Sequence, residues 1–362
     1  IVFFLLGAMT IVTLVDEYQG FSIITDRITT NSKKKLLWIL SILTFFFSAV
    51  LDNMTTAIVM CALLRKLIAD QKERWLFAGM VILAANAGGA WSPIGDVTTI
   101  MLWIGGQVST VNIVVATLLP SLVCMLVPVL ILSLTLKGDI VRPAIANDSI
   151  QIDPKFRKAI FFLGIACLVF VPVFKTITHL PPYIGMLGGL SILWITSEIV
   201  HRKDTEDMKD KFAISNVITR IDVPSILFFL GILLAVNALG TVGHLGLLAN
   251  SLDTIPMAEP GKYYVINIII GMLSSVVDNV PLVAATMGMY DFPMDHYFWT
   301  FIAYCAGTGG SLLIIGSAAG VAVMGMEKID FIWYLKHISW IALLGYLAGA
   351  GTFILEQVIR AL

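Results

Sequence analysis

Long apolar runs without charged residues constrain the fold of this chain more than any other feature. Examples are Ile113 to Leu136, Phe161 to Phe174 and Ile338 to Ile354. A helix needs about 20 consecutive apolar residues to cross a bilayer, and it satisfies its own backbone polar groups there. Hydrophobic residues make up 58% of the chain and charged residues only 13%, against roughly 25% charged in soluble domains. We therefore predict an all-α polytopic membrane protein in contact with a lipid bilayer.

Charge and motif content exclude several classes of protein. The net charge is -1 and basic residues lie only in short loops, which argues against nucleic-acid binding. The pairs Gly88-Gly89 and Gly309-Gly310 lack the lysine of a nucleotide-binding loop, so an ion gradient must drive any transport. The four cysteines lie singly in apolar runs, where we expect them to pack. No cofactor is expected.

An internal repeat organises the chain. The segment Ser48 to Asn53 recurs as Ser274 to Asn279, each copy ending in Asp-Asn inside an apolar stretch. Further on, Asn86 to Gly89 and Gly95-Asp96 are matched by residues 307–310 and by Gly316-Ser317. Self-similarity at this scale indicates repeated structural units. We predict a first repeat at 1–136, a cytoplasmic linker at 137–158 and a second repeat at 159–362, with the first repeat lacking its opening helices.

The charges that flank the two Asp-Asn segments have opposite signs. Basic loops at 137–158 and 201–222 predict a common cytoplasmic side, because positive residues are retained there. The first segment has basic flanks (Lys33, Lys34, Lys35, Arg65, Lys66, Lys72, Arg74) and the second has acidic ones (Asp253, Glu259, Asp291, Asp295). This predicts two inverted-topology repeats, each with a re-entrant hairpin and a broken transmembrane helix, around a site near the membrane midplane.

Three aspartates occur in these apolar segments, Asp52, Asp96 and Asp278. A carboxylate at the bilayer centre costs roughly 2.5 to 3.5 kcal/mol on insertion scales, so it needs a function or a strong structural reason. One alternative is that Asp and Asn only cap the half-helices. Their repetition at matching positions favours ion binding. Since two nearby carboxylates repel each other, we expect either Asp52 or Asp96 to hold a proton until a cation displaces it.

The candidate ligands are carboxylate, amide and hydroxyl oxygens, the set that suits a hard cation. The first repeat contributes Asp52, Asn53, Asn86, Asp96, Thr98 and Thr99. The second contributes Ser274, Asp278, Asn279, Ser311 and Ser317, with Ser317 in the place of Asp96. The sequence therefore concentrates negative charge in the first half of the site.

With the paired Asp-Asn hairpins, residues 86–99 (Asn-Ala-Gly-Gly-Ala-Trp-Ser-Pro-Ile-Gly-Asp-Val-Thr-Thr) and residues 307–320, the chain resembles the NhaD-type sodium/proton antiporters of the ion transporter superfamily. The resemblance implies a homodimer in which a transport domain moves against a scaffold domain. It also implies exchange of Na⁺ or Li⁺ for H⁺, with a Na⁺ site at Asp52, Asn53, Asp96, Thr98 and Thr99. Roles for Asn86, Ser274 and Asn279 follow from the same match.

Other functions stay open at this stage. An arsenite or dicarboxylate permease would use the same fold. An ion channel or an intramembrane enzyme can also hold polar residues in a bilayer, although paired segments with inverted flanks favour a transporter over an enzyme. We expect an integral protein of a bacterial inner membrane and no enzymatic activity.

Overall fold

The computed structural model describes residues 2–25, 27–143, 153–201, 212–221 and 223–361. Within these ranges the chain forms helices and no strand; one isolated bridge joins Ser32 to Asp139. The prediction of an all-α fold is confirmed. The predicted linker at 137–158 and the basic loop at 201–222 lie partly outside the described residues, so the domain boundaries stay a prediction.

The described residues form eighteen α-helices. The first nine are α1 (Val2–Glu17), α2 (Ser22–Thr25), α3 (Lys33–Leu51), α4 (Asn53–Leu67), α5 (Gln71–Ala90), α6 (Val97–Ile104), α7 (Thr110–Thr135), α8 (Pro154–Thr178) and α9 (Pro182–His201). The others are α10 (Ile214–Ile218), α11 (Val223–Thr241), α12 (His244–Asp253), α13 (Gly261–Leu273), α14 (Asn279–Met289), α15 (Tyr297–Gly309), α16 (Ala318–Glu327), α17 (Phe331–Tyr334) and α18 (Trp340–Ala361). A π-helical turn, Leu335–Ser339, joins α17 to α18.

Several helices are suited to cross a bilayer. Among the described residues, five helices are long and apolar enough to do so, and a sixth span results if the bent pair α11 and α12 is taken as one. The five are Lys33–Leu51, Thr110–Thr135, Pro154–Thr178, Pro182–Val200 and Phe331–Arg360. The polytopic membrane character predicted from the apolar runs is thereby confirmed.

The chain divides into two compact units, and unit 1 comprises Ile1–Thr29 and Ala144–Leu230. Small residues let its helices approach closely. A Cβ on Gly164 of α8 would collide with the side chain of Val15 of α1, so a larger residue there would push the two helices or the Val15 side chain apart. The Tyr18 hydroxyl shares a hydrogen bond of 2.7 Å with Ser197 of α9, and Arg220 pairs with Glu17.

Unit 2 comprises Thr30–Pro143 and Gly231–Leu362, and the same element order occurs twice in it. A hairpin, α3–α4 or α13–α14, is broken at its Asp-Asn pair; a helix with an interruption, α5–α6 or α15–α16, follows. The interruptions span residues 91–96 and 310–317. Both contain glycine and serine, and the first also contains Pro93; these residues disfavour a continuous helix. All four predicted interruptions therefore coincide with helix ends.

The two halves of unit 2 also share individual contacts. Ser48 donates a hydrogen bond to the carbonyl of Ala85 at 2.5 Å, and its counterpart Ser274 donates to the carbonyl of Ala306 at 2.9 Å. Gly88 packs directly on the carbonyl of Phe45, as Gly309 packs on that of Gly271. A side chain at either glycine would collide with backbone. The repeat read from the sequence thus has a counterpart in packing, while its inverted orientation stays a prediction.

Candidate ion-binding site

Five polar side chains meet at the helix breaks of unit 2. Asn53 is the first residue of α4 and Asn279 the first of α14, while Asp96 and Ser317 are the N-caps of α6 and α16. Asn86 lies in the last two turns of α5. Their exposed fractions run from 0% to 6%, so the cluster is shielded from solvent. A cluster of this kind needs internal hydrogen bonds, since burying an unpaired polar group is costly.

Asp96 is the hub of the cluster. Its Oδ2 accepts from the Nδ2 of Asn53 at 2.7 Å, and the Nδ2 of Asn279 lies 3.3 Å from the same oxygen. Its Oδ1 accepts from both the amide and the hydroxyl of Thr98, each at 2.9 Å. The N-terminus of α6 adds a favourable dipole for a negative charge. Both carboxylate oxygens therefore act as acceptors towards N–H and O–H donors.

Asn86 connects the two halves of the cluster. Its Oδ1 accepts from Asn53 at 3.2 Å, and its Nδ2 donates to the hydroxyl of Ser317 at 3.0 Å. The Ser317 hydroxyl also accepts from the amide of Gly320 at 3.1 Å, which caps α16. One continuous network therefore joins residues of α4, α5 and α6 to residues of α14 and α16.

Asp52 takes a different place from Asp96. It has φ 76° and ψ 158°, a region of backbone space that side chains rarely adopt. Its carboxylate caps α4 by accepting from the amide of Thr55 at 2.8 Å and from the Thr55 hydroxyl at 2.7 Å. No hydrogen bond joins it to Asp96 within the described residues, so these two charges affect each other through space. Asp278 caps α14 through the amide of Val280 at 2.9 Å.

The hydroxyl groups of the remaining predicted residues are buried and donate hydrogen bonds to backbone carbonyls. Thr99 donates to the carbonyl of Asp96 at 2.8 Å, next to the cluster. Ser274 and Ser311 use their hydroxyls on the carbonyls of Ala306 and Thr308, at 2.9 and 2.5 Å. The structure thus gathers Asn53, Asn86, Asp96, Thr98, Asn279 and Ser317 by hydrogen bonds, and places Asp52, Asp278, Ser274 and Ser311 outside that network.

The sequence reasoning overlooked one residue beside the carboxylate. Gly307 of α15 occupies the repeat position of Asn86, and a Cβ there would lie 3.8 Å from Oδ2 of Asp96. The repeat pairs Gly307 with Asn86, and this pairing was a signal that Gly307 lies next to the site. The first half therefore supplies a side chain where the second half supplies none.

Comparison with known proteins gives the following similarities. The citrate transporter family (CitMHS) matches residues 1–300. Sodium/proton antiporter 1 of Arabidopsis thaliana is 51% identical over 98% of this chain, which spans 61% of that protein's length. Sodium/proton antiporter 2 of the same plant is 47% identical over 98% of this chain and 84% of its own. The Na⁺/H⁺ antiporter NhaD of Vibrio cholerae is 33% identical over 96% of this chain and 76% of its own.

Proposed function

This chain belongs to the citrate transporter (CitMHS) family and to the NhaD-type sodium/proton antiporters, and on that premise we propose that it exchanges Na⁺ or Li⁺ for H⁺ across a membrane. One observation carries the proposal. Asp96, a carboxylate only 1% exposed, is held among amide and hydroxyl groups contributed by both halves of unit 2. A buried ionisable residue of this kind in a membrane protein is by default a functional site.

The surroundings of Asp96 favour a hard monovalent cation. Asn53, Asn86, Asn279, Thr98 and Ser317 offer only oxygen atoms as ligands, which suits an alkali ion better than a soft metal. With a single carboxylate in the hydrogen-bonded network, the site neutralises one positive charge. That charge can be a proton or a cation, and the two occupants then compete.

Competition at Asp96 has a physical route. An ionised carboxylate is an acceptor only, and the four donors on Asp96 match that state. A cation or a proton needs a lone pair of the Asp96 carboxylate that now accepts a hydrogen bond from an amide. The amide of Asn53 or Asn279 must therefore break its hydrogen bond to Asp96. Rotating either amide replaces its N–H by its carbonyl oxygen, which is a ligand for Na⁺. Either occupant therefore excludes the other, and the exchange is coupled.

The proposed movement follows the predicted architecture. We assign the transport domain to unit 2, which contains the whole cluster, and the scaffold domain to unit 1. The transport domain would carry the site between the two faces of the bilayer in an elevator-like movement, with the chain acting as a homodimer. The protein would need no cofactor besides the transported ions and would catalyse no chemical reaction.

The membrane in which the protein acts is also a proposal. The sequence analysis expected the inner membrane of a bacterium, and NhaD proteins of bacteria share about a third of their residues with the chain. The two Arabidopsis thaliana relatives share 51% and 47%. A membrane of a plant cell is therefore the alternative location. Immunodetection in fractionated source cells would distinguish the two.

Citrate transport is the second candidate, because the matching family is named for it. A di- or tricarboxylate would be repelled by Asp96, and the half-buried Asp52 and Asp278 at the neighbouring helix breaks would add to this repulsion. A carboxylate permease would gain from Ser, Asn and Thr at these positions. Uptake of radiolabelled citrate into proteoliposomes, with Na⁺ and a proton gradient applied separately, tests this candidate directly.

The deciding experiment follows a pH-sensitive dye in everted vesicles while NaCl, LiCl and KCl are added in turn. The variant is Asp96→Asn, which keeps a residue able to cap α6 and removes the charge. The matched control is Asp70→Asn, since Asp70 caps α5 in the same way at an exposed position. We expect Na⁺ or Li⁺ to move protons in wild type and in the control only. Full exchange by Asp96→Asn would refute the proposal.

A further inference from the structure

A second buried carboxylate lies at the opposite end of the helices that form the cluster. Glu327 is the last residue of α16, with an exposed fraction of 1%. Its Oε1 is 2.6 Å from Nε of Arg65, and its Oε2 is 3.0 Å from Nε of Arg74. Arg65 is in the last turn of α4, and Arg74 is in the first turn of α5. One carboxylate therefore binds three helices together.

Further hydrogen bonds strengthen this junction. The carbonyl of Glu327 accepts from the Nε2 of Gln71 at 3.1 Å and from the Nε1 of Trp75 at 2.9 Å. Arg65 also donates to the carbonyl of Met326. The last two carbonyls of α16, those of Met326 and Glu327, are thus satisfied by side chains of the first half of unit 2. Helix ends buried in this way need such partners.

The same three helices are joined at both of their ends. At one end Asn53 of α4, Asn86 of α5 and Ser317 of α16 are hydrogen-bonded in series. At the other end Arg65, Arg74 and Glu327 are paired. Within each helix, ten to twelve residues separate the residue in the polar cluster from the residue in the charged junction. At 1.5 Å per residue, the two junctions therefore lie about 15 to 18 Å apart. A shift of one helix along another at the charged end would therefore alter the spacing in the cluster.

Stability alone does not explain a charge here. Glu327 lies at the C-terminus of α16, where the helix dipole disfavours a negative charge. Buried ion pairs add little net stability compared with apolar residues, and their best-attested role is to fix register. We propose that Glu327 is a positioning residue for the ion site: its charge fixes the register of α4, α5 and α16 and so the spacing of Asn53, Asn86 and Ser317.

The test compares Glu327→Gln with Glu73→Gln in purified protein reconstituted into proteoliposomes. Glu73 is a matched control, because it pairs with Lys33 at 2.5 Å at a more exposed position, with side chains 20% and 23% accessible. A single ion pair that solvent can reach contributes little. We expect Glu327→Gln to raise the Na⁺ concentration at half-maximal rate by about five- to tenfold, with a maximal rate within about twofold of wild type. Glu73→Gln should match wild type.

Two further variants separate positioning from folding. Glu327→Asp keeps the charge on a shorter side chain and should recover part of the Na⁺ affinity. Replacing Arg65, Arg74 and Glu327 together by Met should restore the melting temperature. Apolar substitutes are tolerated at buried members of an ion cluster, here Glu327 and Arg74, whereas the Arg65 side chain is 48% exposed. The triple variant should nevertheless keep the weakened half-saturation. If it shows wild-type half-saturation, or if a folded Glu327→Gln does, the positioning role is refuted.

The inference rests on the proposed ion site, so one readout does not depend on transport. Hydrogen–deuterium exchange of peptides covering residues 50–56 and 314–320 reports the cluster end of the helices directly. We expect these peptides to exchange faster in Glu327→Gln and in the triple Met variant than in wild type. In Glu73→Gln they should exchange at the wild-type rate. Loosening confined to residues 65–75 and 324–330 would refute the inference. A wild type without cation response would refute the proposed function alone.

Discussion

Asn279 and Asp96 are separated by 183 residues in the chain and belong to different halves of unit 2, yet the amide of one lies 3.3 Å from the carboxylate of the other. The candidate ion site is therefore shared between the two halves. Neither half contains the whole site. The second half has Ser317 where the first has Asp96, and the first half depends on Asn279 of the second. The two copies of the repeat therefore contribute unequally to the site.

The two asparagines that approach Asp96 should contribute unequally to cation binding. Asn53 lies 2.7 Å from Oδ2 and also donates to Asn86, whereas Asn279 lies at 3.3 Å. Rotation of Asn53, the nearer amide, would present its carbonyl oxygen to the cation as a ligand. Because contacts to a charged group are worth about 1.5 to 3 kcal/mol, we expect Asn53→Ala to raise the half-saturating Na⁺ concentration by at least about tenfold. Asn279→Ala should raise it less.

The measurement for this prediction is the initial rate of proton movement against Na⁺ concentration. Asn31→Ala serves as the control, because Asn31 lies at an exposed position and contacts Arg142 instead of the cluster. A larger effect of Asn279→Ala than of Asn53→Ala would contradict the unequal division inferred from the distances.

Local chemistry made the helix breaks predictable. Asp and Asn cap helices, and the glycine-rich stretches at residues 86–96 and 307–317 disfavour continuous helix, so the sequence alone located all four interruptions. The apolar runs predicted the spanning helices for an equally local reason. That the four interruptions meet at one cluster was inferred from the repeat, and the hydrogen bonds of Asn53, Asn86 and Asn279 to partners from other helices agree with it.

Side-chain direction could not be predicted in the same way. Ser274 and Ser311 were candidates from residue type and the repeat, and Ser274 also from the family resemblance. In the structure the Ser274 hydroxyl donates to the carbonyl of Ala306 in another helix, and the Ser311 hydroxyl donates to the carbonyl of Thr308 three residues earlier. Glu327, in contrast, was not a candidate at all. Its partners Arg65 and Arg74 are more than 250 residues away in the chain, and nothing in the local sequence indicates that these charges meet.

The backbone of Asp52 should make glycine the least disruptive replacement for folding. Its φ of 76° with ψ of 158° costs a non-glycine residue about 1 to 3 kcal/mol, which glycine does not incur. Loss of the cap to Thr55 costs about 1 kcal/mol in any uncapped variant. We therefore expect Asp52→Gly to melt near the wild-type temperature and Asp52→Ala to melt lower, as measured by thermal unfolding in detergent.

The same pair of variants tests the role of the Asp52 charge. If Asp52 takes part in ion exchange, the stable Asp52→Gly variant should lose most of its activity in the vesicle assay. Equal melting temperatures for the two variants would show that the backbone at this position carries no strain.

His296 should make the stability of the fold sensitive to mild acid. It precedes α15, outside the spanning helices, and its Nδ1 accepts from the amide of Phe298 at 3.3 Å, which requires the neutral ring. Burial lowers the pKa of His296, while the nearby carboxylate of Glu259 opposes this. Because the folded-state pKa is lower than the unfolded one, the unfolded chain binds more protons and stability falls as the pH drops below about 6.5.

The measurement is the melting temperature between pH 8 and pH 5. We expect the melting temperature to decrease as the pH falls, and the variant His296→Asn should largely abolish this decrease, because asparagine caps a helix without titrating in this range. An identical pH profile in the variant would assign the acid sensitivity to other groups.

Gly307 should influence which cation the site prefers. A methyl group at this position would lie 3.8 Å from Oδ2 of Asp96 and 3.1 Å from the Cβ of Ala90, so it would fill space beside the carboxylate. Li⁺ is smaller than Na⁺ and should tolerate the loss of space better. We expect Gly307→Ala to shift the ratio of half-saturating concentrations in favour of Li⁺ by about three- to tenfold, since one methyl group discriminates ligands by about 1 kcal/mol or more.

The control for this substitution is Gly351→Ala in α18, where an added Cβ meets no atom within 4 Å. It should leave both half-saturating concentrations unchanged, because an exposed alanine only improves helix propensity. Parallel titrations of Na⁺ and Li⁺ in the vesicle assay measure the ratio directly. An equal loss of affinity for both ions in Gly307→Ala would mean that the methyl group displaces α5 through Ala90 and that the cation does not occupy the space beside Oδ2.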